Sequence, residues 1–234
     1  MHLATCRTGK AFILYDADSV CDAEQAPQIA PYLFDPQHWR HAGRVVGEAP
    51  GRGSSLFVDA GGEQWVLRPY RRGGLAARLS TSRYLWTGLE RTRAFRELRL
   101  TAHLHAQGLP VPRPVAAGVT HHGLTYTAAL ITVRIEGARA LAERLGEAEA
   151  TLLERVGATV RRFHEAGLDH VDLNARNLLV DAQAKVWLID LDRCRLRAAG
   201  PWREANLERL GRSLAKFGAR DALALIRQGY ATEA

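Results

Sequence analysis

The chain has 234 residues, 47% hydrophobic and 24% charged, with a formal net charge of +7, a composition that suits a folded globular chain of one large domain or two lobes around a cleft, and disorder is not expected. It has no apolar run of about 18 residues and no charged-then-apolar secretion signal. Cys6, Cys21 and Cys194 are widely spaced, so neither a membrane span nor export, a disulfide framework or a cysteine metal site is expected, and the protein reads as cytoplasmic with reduced thiols.

Residues 1–31 show no sustained period; a strand is expected at Ala11 to Tyr15 and loop elsewhere, with no readable role. Phe34-Asp35-Pro36-Gln37-His38-Trp39 reads as a capped turn into a short helix, with Asp35 as N-cap and Pro36 at the first helical position. Strand patterns follow at Val45-Val46-Gly47, at Leu56-Phe57-Val58 and, after a turn at Gly61-Gly62, at Trp65-Val66-Leu67-Arg68. The first two flank a glycine-rich tip, Gly51-Arg52-Gly53-Ser54-Ser55. Glycines let backbone N–H groups approach phosphate oxygens, and the serines add hydroxyl donors. By itself such a tip is more often just a turn.

A long helix is expected from about Thr92 to Gln107, with Phe95, Leu98, Ala102 and Leu104 or His105 on one face and Glu97 as its acid. Gly108-Leu109-Pro110-Val111-Pro112-Arg113-Pro114 ends it, because glycine terminates a helix and proline cannot continue one. Strands near Pro114 to Val119 and Leu124 to Arg134 follow, joined by His121-His122-Gly123, which reads as a polar hairpin tip rather than a metal site. After Ile135-Glu136-Gly137, the stretch Glu147 to Ala166 carries Leu152, Leu153, Val156, Val160 and Phe163 at helical spacing, with acids early and arginines late.

The most informative run is His170-Val171-Asp172-Leu173-Asn174-Ala175-Arg176-Asn177. His170, Asp172 and Asn177 fit the H-x-D-x-x-x-x-N spacing of a protein-kinase catalytic loop, where the Asp faces the acceptor hydroxyl and the Asn holds magnesium. A short strand, a polar turn at Asp181 to Ala184 and a returning strand Val186-Trp187-Leu188-Ile189-Asp190 come next. Such a hairpin brings Asn177 and Asp190 together, since paired strands lie about 5 Å apart. Two oxygen ligands at its mouth suit a hard cation that keeps waters and nucleotide phosphates as its other ligands. Asp172 is then the catalytic base or orienting group, and Asn177 and Asp190 are the metal ligands. Arg68 stands where a kinase has the lysine of its third strand, and would contact ATP phosphates and pair with Glu97. Arginine there is a departure, since a planar guanidinium is bulkier and binds phosphate in a fork. Glu97 has the alternative of a surface partner to Arg93. The glycine-rich tip from Gly51 to Ser55 would cover the phosphates, and the backbone near Glu136, at the hinge position, would meet adenine.

Helices are expected at about Pro201 to Lys216 and Arg220 to Gln228, the second closed by Gly229. Only 42 residues follow Asp192, too few for a full protein-kinase C-lobe, so a small or lipid-linked acceptor is favoured over a protein. The expectation is one α+β, protein-kinase-like, two-lobed domain over 1–234. It divides into an N-terminal extension (1–43), a small antiparallel-sheet N-lobe with one long helix (44–135) and a reduced, mainly helical C-lobe (136–234), with ATP and Mg2+ between the lobes.

These stretches, together with Leu67-Arg68-Pro69-Tyr70-Arg71-Arg72-Gly73-Gly74-Leu75 and Ile189-Asp190-Leu191-Asp192-Arg193, resemble the bacterial 3-deoxy-D-manno-octulosonic acid (Kdo) kinases, relatives of the lipopolysaccharide core heptose kinases. The resemblance covers nearly the whole chain, and the Tyr-Arg-Arg-Gly-Gly run is its most specific part. It implies transfer of phosphate from ATP to the 4-hydroxyl of Kdo on Kdo-lipid A at the cytoplasmic face of the inner membrane, by a peripheral enzyme. Leu191 and Asp192 depart from the Asp-Phe-Gly pattern, and Asp192 reads as a turn residue more than a ligand. The resemblance also accounts for the charge: nine arginines and only two acids, Glu90 and Glu97, lie between Arg68 and Arg99, and the rest of the chain is balanced. Arg71 and Arg72 would bind the anionic substrate. Together with Arg78, Arg83, Arg91 and Arg93, and interleaved with Leu75, Leu79, Tyr84, Leu85, Trp86 and Leu89, they would also face an anionic membrane surface. No nucleic-acid module accompanies them, and no protein partner is expected. The rivals are a kinase of similar fold acting on a heptose or aminoglycoside, and a catalytically silent nucleotide-binding membrane protein.

Overall fold

The computed structural model describes residues 1–20, 28–49, 55–71 and 82–232. Gly51, Arg52, Gly53, Ser54 and Arg72, with Cys21, Leu75, Arg78 and Leu79, lie outside them. The chain forms two compact units, Met1–His103 with Arg113–Arg134, and Leu104–Pro112 with Ile135–Ala234.

The first unit is an antiparallel sheet with helices. In chain order its elements are β1 (Leu3–Thr8), β2 (Ala11–Asp16), α1 (Ala17–Val20), α2 (Pro36–His41), β3 (Val45–Glu48), β4 (Leu56–Asp59), β5 (Gln64–Pro69), β6 (Tyr84–Leu85), α3 (Arg93–Ala106), β7 (Pro114–His122) and β8 (Thr125–Val133). Strand order is β1-β2-β7-β8-β5-β4-β3, and β6 also pairs with β8. The N-terminal stretch is therefore not mostly loop: β1 and β2 form a hairpin, and β2 pairs with β7 from Ala11↔Thr120 to Tyr15↔Ala116. β1 escapes a reading by period because it is a largely solvent-facing edge strand, which leaves no apolar alternation to see.

Alternate residues of each strand feed two cores on opposite faces of the sheet. One face packs Ile13, Leu56, Trp65, Leu67, Ala129 and Ile131 against Leu33 and Trp39. The Asp35 carboxylate caps α2 by accepting from Gln37 N at 2.9 Å, and Trp39 donates from Nε1 to Leu33 O at 2.8 Å. Phe34 lies so close over Gly118 of β7 that a Cβ there would sit 2.5 Å from its ring. The other face packs Leu14, Ala117, Ala128 and Leu130 against Phe95 and Leu98 of α3. His121 and His122 are paired strand residues rather than a hairpin tip: β7 runs through both, and Gly123 with Leu124 makes a two-residue turn in which Gly123 supplies the positive φ (72°).

The second unit contains β9 (Arg139–Ala140), α4 (Leu141–Arg144), α5 (Ala150–Glu165), β10 (Leu168–Asp169), β11 (Leu178–Val180), β12 (Val186–Leu188), β13 (Arg195–Leu196), α6 (Trp202–Lys216) and α7 (Ala222–Ala231). α5 buries Leu152, Leu153, Val156, Val160 and Phe163, the stripe its spacing predicts. α7 does not end at Gly229 but runs on to Ala231. Gly229 is there for packing, since a Cβ on it would lie 1.9 Å from Glu154 O of α5, and one on Gly157 would lie 1.9 Å from Ile226 O of α7. Two glycines let these helix backbones touch.

Candidate active site

The run into the catalytic-loop sequence begins with a turn that only glycine fits. Gly167 has φ 81° and its carbonyl accepts from Arg197 N at 2.8 Å, while a Cβ would meet Arg197 O at 2.7 Å. β10 then pairs with β13. Asp169, 4% exposed, accepts from Asn206 Nδ2 at 3.0 Å, Arg197 Nη1 at 3.0 Å and Arg195 Nε at 3.4 Å. Burial alone would raise its pKa, but these donors outweigh that and hold the carboxyl below its usual range. No local pattern marks Asp169, because its partners lie 26 to 37 residues away.

His170 is buried, and its Nε2 lies 3.1 Å from Ile189 O. A carbonyl can only accept, so Nε2 carries the proton. Burial pushes the imidazole pKa down, against the opposing pull of that bond and of Asp190 and Asp172. His170 is thus a neutral tie between the loop and the strand end that precedes Asp190.

Loop residues alternate between anchors and presented groups. Leu173 and Ala175 are buried and Asp172 is exposed. Asn174, missed in the sequence, staples the turn: Nδ2 donates to Asp172 O at 2.9 Å, and Oδ1 accepts from Arg176 N at 2.9 Å and Asn177 N at 3.2 Å. Asn at the start of such a turn is its own signal. Asn177 also donates from Nδ2 to Asp172 O, at 3.0 Å, which leaves its Oδ1 as the atom suited to a cation.

The hairpin forms as expected. Leu178 pairs with Leu188, and Ile189 N donates to Asn177 O at 3.0 Å, so Asn177 and Asp190 stand at adjoining positions of the two strand ends. Asp181 closes the far turn by accepting from Gln183 N, Lys185 N and Trp187 Nε1. Asp190 has φ 60°, left-handed backbone that Asp tolerates better than bulky residues. Asp192 sits in a turn closed by Cys194 N donating to Leu191 O at 3.0 Å. Among the described residues, no three His, Cys, Asp or Glu side chains gather to hold a metal. An amide oxygen with one carboxylate fits a magnesium ion that draws its remaining ligands from water and phosphate.

In the first unit, Arg68 on β5 forms an ion pair with Glu97 of α3, which is 4% exposed. Glu97 is thus a buried partner of Arg68 rather than a residue of the solvated surface. Its other oxygen accepts from the Tyr70 hydroxyl, a contact sequence spacing did not suggest. The Arg68 guanidinium lies 4.9 Å from the centroid of the Tyr70 ring, and that of Arg93 5.4 Å from it and 4.8 Å from Tyr84. Tyr84 is buried rather than turned outward. Ser55 accepts through its carbonyl from Ala49 N at 2.9 Å, closing the β3–β4 hairpin. Glu136 is exposed between β8 and β9. Arg71 borders a groove of about 420 Å³ whose lining includes Phe12, Phe34, Tyr70, Ser82 and Thr127.

A family model described as the lipopolysaccharide kinase (Kdo/WaaP) family matches residues 36–230. A protein of Stenotrophomonas maltophilia (strain K279a) named 3-deoxy-D-manno-octulosonic acid kinase is 47% identical over 233 residues, covering 98% of this chain and 91% of that protein. Proteins of the same name from Xanthomonas axonopodis pv. citri (strain 306) and Xanthomonas campestris pv. campestris (strain B100) are 48% and 50% identical, over 92% and 84% of this chain and 85% and 79% of their own lengths.

Proposed function

Because the chain belongs to the lipopolysaccharide kinase (Kdo/WaaP) family, we propose that it is an ATP-dependent kinase that phosphorylates the 4-hydroxyl of Kdo on Kdo-lipid A, in assembly of the lipopolysaccharide core. The observation that carries this reading is the strand-end pairing that sets Asn177 beside Asp190, one loop on from an exposed Asp172.

In this mechanism Asp172 accepts the proton of the acceptor hydroxyl as its oxygen bonds to the γ-phosphorus and the bond to ADP breaks. Asn177 Oδ1 and the Asp190 carboxylate would hold Mg2+, which neutralises charge on the phosphates. Arg68, fixed by Glu97, supplies a forked donor to those phosphates, and the tip from Gly51 to Ser55 covers them. The backbone near Glu136 meets the adenine. Arg71 and Arg72 engage the Kdo carboxylate or the lipid A phosphates. Catalysis is then mainly positioning and charge neutralisation.

No described helix is long and apolar enough to cross a membrane. A peripheral place at the cytoplasmic face of the inner membrane fits a lipid-borne acceptor and the arginine-rich segment. Mass spectrometry of Kdo-lipid A incubated with protein and ATP tests the assignment. A gain of one phosphate on Kdo supports it, a gain only on heptosylated core reassigns the acceptor, and no transfer to either rejects it.

A further inference from the structure

The two most exposed large apolar side chains among the described residues are Leu124, at 85%, and Leu85, at 70%. Single exposed leucines need no explanation, but these two are neighbours. Trp86 N donates to Leu124 O at 3.0 Å, and Leu85 pairs with Thr125. The β1–β2 turn reaches the same end of the sheet, where His121 N donates to Lys10 O at 2.9 Å. Aromatic rings back the pair: Trp86 lies 4.3 Å from the His121 ring and 6.2 Å from that of Phe12, over which Arg7 stacks at 5.1 Å.

The segments that meet here, residues 7–12, 83–89 and 120–127, carry Arg7, Lys10 and Arg83, two histidines and no acid. Arg83 and Lys10 lie near enough to His122 to add to the effect of burial in lowering its pKa. A tip with bare leucines, a tryptophan at its shoulder and Arg7, Lys10 and Arg83 on the segments that form it has the chemistry of an interfacial anchor. A protein partner would be expected to offer an apolar pocket edged by acids, whereas a bilayer of anionic lipids offers both features as one continuous surface.

We propose that this end of the sheet is the membrane-docking surface, with Leu85 and Leu124 entering the lipid interface and Lys10, Arg7 and Arg83 contacting anionic headgroups. The proposal rests on the reading of a membrane-borne acceptor and names the surface that meets the membrane. It also moves attachment from the arginine-rich segment as a whole to three converging turns, one of them near the N-terminus.

The test is cosedimentation with vesicles of equimolar phosphatidylethanolamine and phosphatidylglycerol, set beside phosphatidylcholine vesicles. Wild type should bind the anionic vesicles, and the double variant L85S/L124S should bind at least about tenfold more weakly with an unchanged melting temperature and unchanged transfer to a water-soluble Kdo acceptor. K10E should weaken binding to the anionic vesicles only. Wild type left in the supernatant, or L85S/L124S binding as tightly as wild type, overturns the proposal. Transfer to detergent-dispersed Kdo-lipid A, measured in parallel, separates the two readings. Transfer without vesicle binding rejects the docking surface alone, whereas leucine-dependent vesicle binding without transfer rejects the kinase assignment alone.

Discussion

The side-chain amide of Asn177 reaches back to the backbone of Asp172, with Nδ2 3.0 Å from the Asp172 carbonyl oxygen. One residue thus fixes the position of the proposed base and keeps its own oxygen for the proposed metal. The two tasks separate by mutation. Asn177→Asp retains an oxygen but removes the N–H donor and sets a carboxylate against a carbonyl. It should still respond to magnesium while losing about 10–100-fold in kcat/KM. Asn177→Ala removes both and should lose more. Steady-state kinetics across a magnesium titration distinguishes them, and equal loss in both variants would show that the donor has no separate role.

Glu97 accepts from both Arg68 and Tyr70. Tyr70→Phe leaves one oxygen of a buried carboxylate without that donor and should cost about 1–3 kcal/mol of stability, read as a lower denaturant midpoint. Arg68→Lys keeps the charge but not the fork and should raise the KM for ATP more than it lowers kcat. A Lys variant with wild-type kinetics would mean that the guanidinium geometry is not used.

Gly157→Ala and Gly229→Ala each force a methyl against a backbone carbonyl of the opposing helix. Overpacking of this kind costs about 1–3 kcal/mol or more. For a chain of this length that is a fall of several degrees in melting temperature, at roughly 2–4 °C per kcal/mol. The control is Gly146→Ala, where a Cβ meets nothing within 4 Å. That variant should melt with wild type.

His164 predicts a pH dependence. Burial, with Arg203 adding to it, lowers its pKa from 6.5 to about 4. The unfolded chain takes up a proton that the fold resists, so the contribution to stability is complete above about pH 6.5 and is lost as pH falls toward 4. At 1.36 kcal/mol per pKa unit the loss is at most about 3 kcal/mol. The lowered pKa of His170 acts in the same direction. Denaturant unfolding between pH 7 and 4 should show this decline, and it should be shallower in His164→Gln. An equally steep decline in that variant would place the titration elsewhere.

What the sequence made legible was local. The H-x-D-x-x-x-x-N spacing, the hairpin from Leu178 to Leu188 and the cap at Asp35 each depend on residues a few positions apart, and the coordinates show the same local arrangements. The Arg68–Glu97 contact was read from the spacing of a known pattern. The β1–β2 hairpin was not legible although it is local, because the solvent-facing β1 shows no apolar alternation, and the pairing of β2 with β7 joins residues about 100 positions apart. Neither were the Asp169 network and the Gly157–Gly229 crossing, in which a buried carboxylate or a missing Cβ acquires meaning only from a distant backbone. Glycine near the end of a periodic stretch usually stops a helix, and at Gly229 tertiary packing overrides that expectation.

The most direct test of the kinase assignment is transfer of the γ-phosphate of ATP to Kdo-lipid A, measured side by side for wild type and Asp172→Ala. The account predicts transfer by wild type and a loss of about 10²–10⁴-fold in the variant, which should otherwise remain folded because Asp172 is exposed. Wild-type rates in the Asp172→Ala protein would contradict it.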